Sequence, residues 1–160
     1  MSNTAGIFSA SHRNFRGGTW QWRENEFLDA NGVSVAHVRS DVMNAGKESL
    51  LLENSLAPNR IRLRGTTSKG ELFSLTNTGF GVSRLEIVCA NRAYTATRVS
   101  PFRKERVIYS ADGTVARTRP NGRELDVIDE PEYADAPTLD VAFTTWGCLL
   151  LDVPWRTTKA

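Results

Sequence analysis

Arg60, Arg62 and Arg64 stand at alternate positions, with Ile61 and Leu63 between them. Side chains on an extended strand alternate between faces. This spacing therefore sets three guanidinium groups on one face, about 7 Å apart, and the apolar pair on the other. A guanidinium is a planar fork of donors that meets phosphate or carboxylate oxygens two at a time. The chemistry this suggests is capture of an anion, either a phospholipid headgroup or a phosphorylated ligand. The competing reading is an ordinary outward face paired to neighbouring carboxylates. Arg103, Lys104 and Arg106, following Ser100-Pro101-Phe102, form a second basic cluster at a loop or strand start. A solvated turn is the preferred account of that cluster.

For catalysis the inventory is poor. His12 and His37 have no Cys, Ser or carboxylate partner at a motif spacing, and no GxSxG, Walker A or HExxH motif occurs. Gly79-Phe80-Gly81-Val82-Ser83-Arg84 lacks a third glycine and opens a strand, so it is no dinucleotide loop. The two cysteines form no CxxC, which leaves neither a zinc ribbon nor a disulfide framework, and Cys148 reads as a small core hydrophobe. Asp126, Asp129, Glu130, Glu132 and Asp135 make an acidic stretch, but Pro131 interrupts it where a calcium loop needs a glycine turn. Its expected role is electrostatic, lying across the basic part of the chain. The expectation is a non-enzymatic protein with no metal and no cofactor. Trp20, Trp22, Trp146 and Trp155 either line a ligand cavity or fill a core.

These residues need a scaffold. The chain has 160 residues, 40% of them hydrophobic, and a net charge of +2, which fits one folded domain and argues against disorder and wholesale nucleic-acid binding. The balance is uneven: residues 1–123 carry 18 Lys/Arg against 10 Asp/Glu, and residues 124–160 carry 2 against 8. The start is polar, without the apolar run of a secretory signal, so the expected location is cytoplasmic or peripheral to a membrane.

Residues 1–18 lack periodicity and read as a flexible arm. A single domain is expected over 19–155, with 156–160 as a tail. From Trp20 to Ile128 the text is a series of short alternating segments with turn residues between them, the signature of an all-β domain. Asn31-Gly32 predicts a two-residue hairpin with positive φ at both central positions. Leu50–Glu53, Arg60–Gly65, Glu71–Thr76, Gly79–Ala90, Arg92–Val99, Arg106–Ser110, Thr114–Arg119 and Glu124–Ile128 are further strand candidates. Residues 139–153 differ in kind. Val141, Phe143, Trp146, Leu149 and Leu150, with their neighbours, leave no polar face, so the predicted helix is buried on all sides. At about 22 Å it falls short of the ~30 Å hydrocarbon core of a bilayer.

Asp29–Arg39 and Tyr109–Arg119 resemble each other in their Asx-Gly turns, Val-Ala pairs and final arginines, which suggests a duplicated half. A pseudo-duplicated β-domain, the Asp112-Gly113-Thr-Val-Ala segment and the terminal Leu139-Asp-Val-Ala-Phe-Thr-Thr-Trp146 helix together resemble the tubby C-terminal-like superfamily. That group includes tubby proteins, phospholipid scramblases and LURP-one-related proteins. The resemblance covers about residues 20–153 and implies a closed antiparallel β-barrel of about twelve strands around a central hydrophobic C-terminal α-helix. The proline-rich arm and palmitoylated cysteine run of scramblases are absent, and no family site residue can be carried over. The expected function is docking on an anionic partner through barrel arginines. The alternatives are a protein-interaction or structural domain and a scramblase-like lipid-handling protein.

Overall fold

The structure, a computed structural model, describes residues 18–153. The expected arm lies outside these residues except for Gly18, which opens the first strand; Trp155 and the tail lie outside them too. The elements are β1 (Gly18–Arg23), β2 (Glu26–Leu28), β3 (Ser34–Arg39), β4 (Val42–Ala45), β5 (Glu48–Ala57), β6 (Arg60–Thr67), β7 (Leu72–Asn77), β8 (Arg84–Cys89), β9 (Arg92–Ser100), β10 (Arg103–Ser110), β11 (Gly113–Asn121), β12 (Glu124–Asp129) and α1 (Thr138–Asp152). Every strand pairs antiparallel with its sequence neighbours, and β1 pairs with β12, Trp20 opposite Val127. Closure leaves the sheet no free edge.

Period-two patterning decides which side chains enter. Along β6, exposed and buried residues alternate from Arg60 to Gly65, and along β8 Leu85, Ile87 and Cys89 point inward. Eight strands already enclose a space that side chains can fill, so twelve require a further filler. That filler is α1. Residues 138–149 and Asp152 are buried, while Leu150 is only half-buried, a correction to its expected full burial. Phe143 meets Phe73 of β7 edge-on with centroids 5.4 Å apart, and Trp146 meets Trp22 of β1 at 5.1 Å. The Trp22 indole N–H donates to Thr145 Oγ1 (2.8 Å), which in turn donates to the Val141 carbonyl (2.6 Å). The helix approaches β7 so closely that a Cβ on Gly147 would lie 2.5 Å from Leu75 Cδ1.

Two expectations change. At Asn31-Gly32 only Gly32 has positive φ (+80°). The Asp29 carboxylate accepts from the Asn31 and Val33 N–H groups, so a longer Asp-centred turn replaces the two-residue hairpin. Positive φ at both central positions occurs instead at Ser40-Asp41 (50° and 64°), between β3 and β4. The matching segments fall on the β2–β3 and β10–β11 hairpins, eight strands apart, whereas a copied half of a twelve-strand barrel would separate them by six. The likeness is that of two turns.

Because strand directions alternate, the barrel has two rims. The chain enters α1 at one, the entry rim. The other, the exit rim, gathers the end of α1 with the β1–β2, β3–β4, β5–β6, β7–β8, β9–β10 and β11–β12 turns.

Candidate functional site

β6 presents Arg60, Arg62 and Arg64 to solvent, while Ile61 and Leu63 lie in the core. Their cross-strand neighbours are mostly uncharged: Ala57 opposite Arg60, and Ser55 and Thr76 flanking Arg62. Glu53 stands opposite Arg64 without forming an ion pair. Among the described residues none of the three guanidinium groups has an ion-pair or hydrogen-bond partner. The column is a row of open cationic forks.

The second cluster divides. Arg103 and Lys104 are exposed at the exit rim, Arg103 beside Glu105 at 3.7 Å. Arg106 is a correction: it is fully buried and does not belong to an exposed binding surface. A register shift between Arg103 and Arg106 precedes the inward run that Arg106 shares with Ile108. Inside, Arg106 Nε and Nη2 donate to the two oxygens of Asp152 (2.6 and 3.0 Å), and Arg98 Nη2 adds a third bond at 2.9 Å. Burial lowers the Arg106 pKa, and the Asp152 hydrogen bond together with the Cys148 and Asp152 charges more than restores it, so the guanidinium sits above its ordinary value. An acid in the last turn opposes the helix dipole, and these arginines offset that penalty.

The other end of α1 is held the same way. Arg92 Nε and Nη2 donate to Asp140 (2.6 and 2.9 Å), and the Tyr94 hydroxyl donates to the same carboxylate. The Arg92–Asp140 hydrogen bonds raise the Arg92 pKa, while burial raises that of Tyr94, with the Asp140 charge adding to it. These inward residues escaped the sequence reading, although Arg92, Tyr94, Ala96 and Arg98 share one face at period two.

The acidic segment pairs with Arg119 through Asp126 but does not cover Arg60, Arg62 and Arg64. Asp126 and Asp129 belong to β12, and Asp126 is engaged by Gln21, Arg119 and Asn121. The connector from Glu130 docks at the entry rim, where Ala134 N–H donates to the Thr114 carbonyl (2.7 Å), away from the exit-rim loops. Among the described residues no group of three His, Cys, Asp or Glu side chains is arranged to hold a metal ion. Trp20, Trp22, Phe27 and Trp146 pack ring against ring, and the gap between helix and wall beside Tyr94, Ile108 and Thr144 measures ≈ 0 Å³. Trp20, Trp22 and Trp146 therefore fill the core. Cys89 and Cys148 are buried, and burial pushes their thiols up, Cys148 to about 12. No helix among the described residues is long and apolar enough to cross a membrane. The outer wall is polar along β6 and the inner one apolar, the reverse of a barrel that spans lipid with its strands.

The fold and the column define a closed antiparallel β-barrel with an internal helix and an exposed arginine face. Comparison with known proteins returns no matching family model, no matching curated sequence and no matching solved structure.

Proposed function

We propose that this protein is a non-enzymatic binding module that docks on a phosphate-bearing anionic partner through its barrel arginines. The observation that carries this reading is the column of Arg60, Arg62 and Arg64, unpaired among the described residues. Twelve strands around a C-terminal helix support placing the chain with the tubby C-terminal-like superfamily. A cation beside an anionic surface contributes about 1 kcal/mol, so three arginines supply about 3 kcal/mol, roughly a hundredfold in affinity.

The test is co-sedimentation with vesicles of graded phosphatidylserine content at low and moderate salt, alongside titration with glycerophosphoserine. Binding should rise with anionic lipid, fall with salt and vanish when all three arginines become glutamate. Competition by glycerophosphoserine would assign the affinity to the headgroup phosphate. Binding to neither probe, or binding indifferent to the three charge reversals, overturns the proposal.

A further inference from the structure

The exit rim holds two phenylalanines in open solvent: Phe80 in the β7–β8 loop (102% exposed) and Phe102 in the β9–β10 turn (92%). Leu56 and Val99, on strands leading to the same rim, are also exposed. The loops that carry the rings are built structures. Phe80 lies between Gly79 and Gly81, both in the left-handed region (φ 73° and 84°), where a side chain would be strained. The Asn77 side-chain amide donates to the carbonyls of Gly79 (3.4 Å) and Gly81 (2.7 Å) and to that of Asn59 (3.0 Å) in the β5–β6 turn. Its oxygen accepts from the Ile61 N–H at 3.0 Å. One asparagine thus fastens two turns and holds Phe80 outward.

The next loop is fastened too. The Ser83 carbonyl accepts from the Arg98 N–H (2.9 Å) and from Arg106 Nη1 (3.4 Å), and Ser100 Oγ accepts from the Phe102 N–H (3.0 Å). The β5–β6 and β7–β8 turns are bonded to each other, and the β7–β8 loop is bonded to β9 and β10 beside the third turn, so two of three adjacent turns carry an aromatic ring on a fastened base. Residues 57–60, 77–84 and 100–104, which make these turns and their ends, contain Arg60, Arg84, Arg103 and Lys104 and no acidic residue. Arg84 and Arg103 reach Glu86 and Glu105 on the strands, whereas Arg60 and Lys104 are unpaired among the described residues.

We infer that this sector of the exit rim is a membrane-contact edge. Phe80 and Phe102 enter the boundary between headgroups and acyl chains of an anionic bilayer, while the flanking cations engage the headgroups. Aromatic rings favour that depth, about 5–10 Å into the interface, and the cationic surround matches an anionic leaflet in charge. The charge half of this inference rests on the proposed arginine docking; the insertion half rests on the two rings alone.

The experiment places a reporter at each ring, Phe80→Trp and Phe102→Trp, in the full chain. Each is mixed with phosphatidylcholine–phosphatidylserine vesicles carrying brominated acyl chains. Quenching beyond that of the parent protein is expected at both positions. Phe80→Ala/Phe102→Ala should lower vesicle partitioning about tenfold or more per ring, with an unchanged thermal melt because neither ring is packed in the fold. Salt-dependent binding without added quenching overturns insertion and leaves arginine docking standing. Quenching that survives reversal of Arg60, Arg62 and Arg64 sinks arginine docking and keeps insertion. Absence of vesicle binding, with self-association that the double alanine variant abolishes, overturns the inference and gives the rim to a second copy of this chain.

Discussion

Asp152→Asn is the substitution whose cost the structure sets most sharply. The carboxylate accepts three charge-assisted hydrogen bonds, two from Arg106 and one from Arg98. Arg98 retains 20% of its side-chain exposure and can recover water, but Arg106 has none. Neutralising Asp152 leaves a guanidinium sealed in the barrel without its counter-charge, and an amide oxygen can accept only one of the two Arg106 bonds. Breaking a buried pair from one side costs about 3–5 kcal/mol. For a chain of this length that lowers the melting temperature by about 6–20 °C. At the other end Arg92 is 41% exposed, so Asp140→Asn should cost less. The assay is urea unfolding followed by far-UV circular dichroism, with the slope checked for constancy. The Asp152→Leu/Arg106→Met pair should recover most of the loss, because a matched apolar replacement removes both desolvation penalties. If Asp152→Asn unfolds at the parent midpoint, or Asp140→Asn proves the costlier change, the account of the helix as held by a buried pair is wrong.

Truncation before Thr138 removes the helix that fills the twelve-strand interior and should yield protein without a cooperative melt; a sharp transition in scanning calorimetry would contradict this. Gly147→Ala should lower the urea midpoint. Overpacking against Leu75 costs about 1–3 kcal/mol, and the gain in helix propensity returns about 1. Leu75→Val should then cost less in that background than alone, which a double-mutant cycle reads. Raised thiol pKa values make alkali destabilising, because the unfolded state loses its protons first. Cys148 contributes full stability below pH ~9, and that contribution falls by about 1.4 kcal/mol per pH unit until about pH 12. Cys148→Ala should flatten the decline of the urea midpoint across that window.

Much of the wall was legible because burial on one face writes itself into alternate residues, as along Arg60–Gly65. The outward column followed from the same rule. β2 and β4, of three and four residues, are too short to show a period. Ser40-Asp41 carries no glycine to announce its turn. The larger omission was Arg106. Treated as a member of a charged run it looked exposed, whereas its parity with Ile108 puts it inside. Asp140 and Asp152 were visible as charges on an apolar helix, but their partners are 46–54 residues away in sequence, where spacing is silent and only the closed sheet brings them near. The resemblance pointed toward a twelve-strand barrel around a helix, and that architecture is what the chain adopts. Phe80 and Phe102 lay in plain view, yet no pattern rule separates an exposed ring from a packed one before the loops have a shape.

The order of elements along the chain constrains how the molecule is made. The wall comes first and its filling last, and the seam joins Trp20 to Val127, more than a hundred residues apart. A ribosome therefore releases twelve strands with greasy inner faces before α1, which covers them, has emerged. Early closure would lock the cylinder empty, so productive folding has to keep the β1–β12 seam open until α1 arrives. Contacts this distant form slowly and leave strand borders bare meanwhile. Production of this protein should consequently respond to translation speed and to chaperones that bind unpaired strands, and the fifteen-residue α1 acts as the timer for the whole cylinder.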